Sequence, residues 1–272
     1  MILDNLRFIY DQNQDKQPLF VRNLLKEQLQ YFILNYIYNS SWGEKFIFKG
    51  GTCLRFCFAL PRLSEDLDFD VEDFGRFSFD DFISDLKAYF ISKLKYKDIE
   101  IKIGGLNKII YIRFPILGQI GVDINKPTEN LLFVRIDLAQ VEGDFFQKEL
   151  SLKSTFDFSF LIRRYSLSDL YSGKIAAILQ REKFEGKKKI PRFKGRDFFD
   201  LWFLKEKNIK WNKKYLASLI NLSGEREIKK KLNSKISQAV KRKSELKSDL
   251  LPFMENPVFV EDFINNLESL KI

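Results

Sequence analysis

Residues 46–70, FIFKGGTCLRFCFALPRLSEDLDFD, leave this chain few ways to fold. A short run of strand formers over Lys45–Lys49 meets Gly50-Gly51-Thr52, and an apolar helical stretch then continues to Pro61. From Asp66 to Val71 acidic and apolar residues alternate with the period of a strand. Strand, glycine turn, helix and strand follow in that order, and with the other strands and helices expected over the first 165 residues they make an α+β domain. On a strand, residues two apart point the same way, so Asp66 and Asp68 stand side by side. Glycines allow close backbone approach to phosphate oxygens, and the helix start offers free N–H groups at the positive end of its dipole. Lys49 or Thr52 could add a cation or a hydroxyl there. Paired carboxylates bind Mg²⁺, whose other ligands include substrate phosphates. Two such ions, Mg²⁺ or Mn²⁺, can activate an attacking oxygen and steady a leaving pyrophosphate.

Other readings of this segment fall away. Asp66, Asp68 and Asp70 hint at a calcium loop, but Val71 stands where that loop needs glycine and Phe77 where it needs glutamate. No P-loop or dinucleotide fingerprint occurs. The chain contains no histidine, which excludes Ser-His-Asp hydrolysis, histidine acid–base catalysis and histidine-ligated metals. Its chemistry must therefore run on carboxylates, lysines, hydroxyls and oxygen-bound cations. Cys53 and Cys57, the two cysteines, lie one helical turn apart in an apolar stretch and suggest buried thiols in a reducing cytoplasm. The N-terminus lacks the pattern of a signal peptide, and no apolar run is long enough to span a membrane, so a cytoplasmic protein is expected.

Periodicity organises the rest. Pro18–Tyr38 is predicted as a long helix, 79–96 as another, 98–103 and 108–116 as a hairpin about Gly104-Gly105, and 131–138 as a strand. From Ser168, a plausible N-cap for a helix over 169–182, the pattern turns helical. A basic loop follows, then helices over 196–206, 212–221 and 225–247. A boundary near 165 divides an α+β domain, 1–165, from a helical one, 166–272. Charge divides there too: residues 1–165 hold 22 Lys+Arg and 23 Asp+Glu, a net of −1, whereas 166–272 hold 24 and 14, a net of +10. Between Lys183 and Arg196 lie seven Lys/Arg and one Glu; between 225 and 247 lie nine against three. A basic back half of this kind suits a polyanionic partner, and Lys187, Lys188, Lys189, Lys194, Arg192 and Arg196 are its candidate contacts.

Two blocks together resemble a known family. Gly50-Gly51-Thr52 followed by Arg62-x-Ser64-x-Asp66-Leu67-Asp68 is similar to the signature of the AbiEii/AbiGii-like nucleotidyltransferase toxins of type IV toxin–antitoxin systems, which have a polymerase β-type fold. The second block is Leu170-Tyr171-Ser172-Gly173-Lys174-Ile175-Ala176-Ala177 with Arg181, then Arg196-Asp197-Phe198-Phe199-Asp200-Leu201. The blocks cover about a quarter of the chain. The resemblance implies that Asp66 and Asp68 hold catalytic metal ions, with Lys49, Gly50, Gly51, Thr52, Arg62, Ser64, Lys174 and Arg181 around the nucleotide. It places Lys174 on the phosphates, with Asp197 or Asp200 completing the site. Enzymes of this type usually carry a third carboxylate on a neighbouring strand as base for the attacking hydroxyl. Asp137 has the strand context and Asp123 the weaker, loop-like one. Implied with these are an NTP substrate, an RNA acceptor such as tRNA, and a cognate antitoxin protein. A protein-hydroxyl acceptor and a catalytically silent nucleic-acid-binding module are the rival readings.

Overall fold

The computed structural model describes residues 2–272 except 105–107, 125–126, 156, 181, 186–187, 192, 221 and 223, with backbone alone for 127–128, 182–185 and 188–191. The chain forms two compact units, Met1–Val141 with Glu149–Arg164, and Glu142–Lys148 with Tyr165–Ile272. The architecture is α+β.

The first unit is built on a seven-stranded mixed sheet. After helices α1 (Ile2–Asp11) and α2 (Pro18–Tyr38) come β1 (Phe46–Lys49), α3 (Gly50–Phe58), β2 (Asp66–Val71) and α4 (Phe79–Ala88). Strands β3 (Glu100–Gly104), β4 (Ile109–Pro115), β5 (Leu131–Gln140), β6 (Lys148–Ser154) and β7 (Ser159–Tyr165) complete the order β3-β4-β5-β2-β1-β7-β6. β2 runs antiparallel to β1 and parallel to β5, while β4 is antiparallel to β3 and β5. Alternation sorts the two faces. Ile110, Ile112 and Phe114 of β4 and Leu132, Val134, Ile136 and Leu138 of β5 are buried, and the residues between them keep some exposure. The same inner face carries Phe46, Phe48 and Phe69, with Phe48 and Phe69 stacked 4.9 Å apart and Phe82 of α4 edge-on to Phe46. The long helix α2 buries ten residues against this layer, among them Leu29, Phe32 and Ile33.

Several elements depart from the periodic expectation. α3 stops three residues before Pro61, where Ala59 turns left-handed and its N–H reaches back to the Leu54 carbonyl. The helix expected over 79–96 is interrupted: α4 passes into a single π-helical turn, Tyr89–Lys93, and Lys95 has a positive φ of 57°. Strands β6 and β7, helix α1 and the last helix α10 (Pro257–Asn265) have no counterpart in the sequence reading. Both cysteines are free thiols, Cys53 buried and Cys57 partly exposed.

The second unit packs α5 (Leu167–Gln180) against α6 (Gly195–Glu206), α7 (Lys213–Leu219) and α8 (Glu225–Val240), with α9 (Lys243–Leu250) beyond. Ser166, not Ser168, caps α5: its hydroxyl accepts the Asp169 N–H, while Ser168 lies inside the first turn. The segment expected as a basic loop contains a two-stranded hairpin, β8 (Glu182–Glu185) with β9 (Lys188–Pro191). The single helix expected over 225–247 is two. Arg242 leaves helical geometry, donates to Glu245 at 2.7 Å and lays its guanidinium over the Phe193 ring. That break lets Ile228, Leu232 and Ile236 of α8 and Leu246 and Leu250 of α9 both reach the core.

Candidate active site

Sheet register brings the sequence-predicted carboxylates together. Lys49 of β1 is paired with Asp68 of β2, and Asp68 with Asp137 of β5. Paired residues on adjacent strands face the same way, so these three side chains stand in one row, with Asp66 one pleat along beside Arg135. All four of Lys49, Asp66, Asp68 and Asp137 are half-buried, whereas Leu67 and Phe69 on the opposite face are buried. Asp123 is exposed and lies outside any strand. The register therefore favours Asp137 as the third carboxylate. Arg135 Nε donates to Asp137 Oδ1 at 2.6 Å, fixing the carboxylate's orientation. Burial of Arg135 works against its charge, but the hydrogen bond and charge of Asp137, with that of Asp66, hold its pKa above the usual value.

The two glycines have separate reasons. Gly50 has φ +79°, and a Cβ there would lie 2.1 Å from Asp68 Oδ2. The turn thus lets the Asp68 carboxylate sit directly against the backbone where α3 begins. A Cβ on Gly51 would lie 2.5 Å from the Arg62 guanidinium and 3.1 Å from Ser64 Oγ. Arg62 is 3% exposed and Ser64 8%, so both lie beneath the turn and support it. Thr52 is wholly buried and its hydroxyl donates to the Asp66 carbonyl. Thr52, Arg62 and Ser64, expected beside a nucleotide, thus lie beneath the turn and against the acid-bearing strand. Lys49 forms an ion pair with Asp70, the next acid on β2, which is 2% exposed. The Lys49 side chain makes no capping hydrogen bond to α3.

In the second unit, Lys174 of α5 meets both acids of α6. Its ammonium lies 2.7 Å from Asp200 and 3.2 Å from Asp197. Spacing had left a choice between these aspartates; both join the cluster. Asp200 is fully buried, Asp197 nearly so, and the Lys174 side chain is 12% exposed. Carboxylates so placed need a cation beside them, because each would otherwise bear an uncompensated desolvation cost. A residue the sequence reading passed over, Asp169, is also buried and knits the unit together. It accepts from the Ser166 hydroxyl at 2.6 Å, the Gln147 N–H at 2.7 Å and the Asn212 amide at 2.7 Å. The Ser166-x-x-Asp169 spacing at a helix start was its signal.

Of the candidate acceptor contacts, Lys187 and Arg192 lie outside the described residues, as does Arg181. Lys188 and Lys189 are on β9, with backbone alone described. Lys194 is half-buried at the N-cap of α6. Arg196 is held inside the unit: it pairs with Asp249 at 3.2 Å, its guanidinium lies 4.1 Å from the Phe253 ring centre, and its side chain is 14% exposed. Both of these contacts are made within the second unit.

A family model described as the nucleotidyl transferase AbiEii toxin of type IV toxin–antitoxin systems matches residues 33–263. The chain belongs to this family. It is a nucleotidyltransferase, and both signature blocks fall inside the matched span. JHP933 from Helicobacter pylori has a similar fold, with 17% identity over 92% of this chain and 90% of that one and a TM-score of 0.52. MenT4, a nucleotidyltransferase toxin from Mycobacterium tuberculosis, is likewise similar, with 12% identity over 93% and 85% of the two chains and a TM-score of 0.54. No curated protein matches the sequence. Family membership implies an NTP substrate, a cognate antitoxin and, usually for AbiEii-type enzymes, a divalent metal. The donor set agrees with a hard cation: two half-exposed carboxylates on one strand face with a third in register alongside. Among the described residues no three acids, cysteines or histidines converge as a ready cage. Mg²⁺ rarely asks for one, since it keeps waters and takes substrate phosphates alongside one or two carboxylates. No described helix is long and apolar enough to cross a membrane.

Proposed function

We propose that this AbiEii-type toxin transfers a nucleotide from an NTP to the hydroxyl of an RNA acceptor, tRNA in the first instance, with Mg²⁺ or Mn²⁺, in the cytoplasm. The observation that carries the reading is the register of Asp68 with Asp137 beside Asp66, on a strand whose partner opens into the Gly50 turn. Asp66 and Asp68 would hold the metal ions, which supply charge neutralisation at the transferred phosphate and the leaving pyrophosphate. Asp137, oriented by Arg135, takes the proton of the attacking hydroxyl. The N–H groups at the start of α3 receive phosphate oxygens, for which the Gly50-Gly51 backbone leaves room. Lys174 contacts the nucleotide phosphates, as the family resemblance implies, and Asp197 with Asp200 holds its ammonium in place. Support for an RNA acceptor comes from the net +10 of residues 166–272.

Incubating the purified chain with each labelled NTP, Mg²⁺ and total RNA, and separately with total protein, tests this reading. Label in the tRNA band that vanishes with EDTA is the expected result. Label in protein alone would move the acceptor to a protein hydroxyl, and no label anywhere would leave the chain a silent binding module.

A further inference from the structure

Strand β6 ends the seven-stranded sheet, and its sequence, Lys148-Glu149-Leu150-Ser151-Leu152-Lys153-Ser154, is complementary to itself when read backwards. We propose that β6 pairs antiparallel with β6 of a second copy of this chain, about a two-fold axis at Ser151. Three observations meet here. The first is exposure: Leu150 and Leu152 are 63% and 67% exposed, and Leu161 of the neighbouring strand β7 is 52% exposed. Three leucines this open on one sheet edge mark an association surface.

The second is the direction of the free backbone groups. The Thr155 N–H donates to Phe158 O, and the Ser166 N–H donates to Gln147 O. Both bonds fit a single antiparallel hairpin register in which odd-numbered residues of β6 exchange hydrogen bonds with β7. Leu150 and Leu152 therefore turn their N–H and C=O groups to the outer edge. That register also sets Leu152 across from Leu161, and Glu149 across from Arg164, whose guanidinium it meets at 2.7 Å.

The third is charge complementarity, which selects the occupant. With the axis at Ser151, each Leu150 pairs with the other copy's Leu152 through the outward backbone groups. Each Glu149 then stands opposite the other copy's Lys153, and Ser151 meets Ser151. Both leucines of each copy fall on one face of the joined sheet and both charged pairs on the other. An isologous two-fold contact of this kind is the commonest way for a chain to pair with itself. Glu149 keeps 46% side-chain exposure despite its contact with Arg164, so its carboxylate remains open to a partner.

Sedimentation velocity on the full chain from about 1 to 100 μM tests the pairing, over which a dimer of micromolar Kd passes from mostly monomer to mostly dimer. Glu149→Lys and Lys153→Glu each set like charges opposite one another twice and should raise the dimer Kd by ~10-fold or more. Mixing the two variants should restore association as a heterodimer. Because the internal Glu149–Arg164 contact is lost equally in Glu149→Lys alone and in the mixture, only pairing between copies can produce that rescue. Ser151→Cys, made together with Cys57→Ala because the Ser151 hydroxyl neighbours the Cys57 thiol, should give a covalent dimer on mild oxidation, since directly opposed residues of this class have Cα atoms about 4.5 Å apart, within disulfide range. Far-UV circular dichroism checks that each variant folds. A monomer throughout the concentration range, a mixture no tighter than its components, or β6 capture of a different protein alone would overturn the proposal.

Discussion

Two pairs of aspartates, one in each unit, show how little residue type decides. Asp66 and Asp68 are two apart on a strand, half-exposed, registered with Asp137 and set against a glycine turn. Asp197 and Asp200 are three apart on a helix, buried, and closed around Lys174. Spacing places each pair on a common face. Burial then separates them: the first pair keeps some exposure, while the second is closed around a neighbouring ammonium.

The sharpest test of that contrast is to remove one acid from each pair. Asp66→Ala or Asp68→Ala should lower transfer by at least ~10³-fold in a labelled-NTP assay, as loss of metal-borne charge stabilisation does. Stability in urea should change by about 1 kcal/mol or less, because these residues are not core. Transfer surviving in both variants would remove the pair from the mechanism. Asp200→Ala should behave in the opposite way, lowering unfolding free energy by ~3 kcal/mol by weakening a buried ion cluster. Lys174→Ala should combine the two, with turnover reduced ~10²-fold and stability reduced as well, and Lys174→Arg should rescue only in part. A stability-neutral Asp200→Ala would end the contrast between the pairs.

A smaller effect is expected at the turn. Gly50→Ala forces a side chain into positive φ and onto the Asp68 carboxylate, so a loss of ~1–3 kcal/mol should accompany a fall in transfer. Unchanged melting and activity would mean that Asp68 moves freely away from the turn. The smallest effect on the fold should come from the basic segment 187–189. Reversing Lys187, Lys188 and Lys189 to Glu should leave stability within ~0.5 kcal/mol, yet lower the slope of log affinity for tRNA against log salt by up to ~3. An unaltered slope would show that this charge faces only solvent.

Much of the sheet was legible in the pattern. The alternation of Asp66–Val71 lies on β2 as expected, the long helix at Pro18–Tyr38 matches its boundaries, and Ile109–Pro115 alternates as a half-buried strand should. Where local signals conflicted with packing, they misled. The 225–247 stretch carries helical periodicity throughout, yet it breaks at Arg242, whose side chain finds Glu245 and the Phe193 ring instead. β6 escaped notice because its alternation puts leucines outward and charges inward, Glu149 on Arg164 and Lys153 over the Tyr31 and Phe56 rings, the reverse of an ordinary edge strand. At the site, Thr52 follows the glycines directly while Arg62 and Ser64 lie more than ten positions on, and only the fold brings all three under the turn.

The sequence by itself determined the α+β class, the glycine-opened helix, the shared face of Asp66 and Asp68, and the absence of any histidine chemistry. These follow from composition and from backbone periods that are properties of a few neighbouring residues. Tertiary structure alone decided that Asp137 lies beside Asp68, because strand pairing joins residues 69 positions apart in the chain. It alone decided which acids stay near water and which close on Lys174, because burial depends on every element that packs around a side chain.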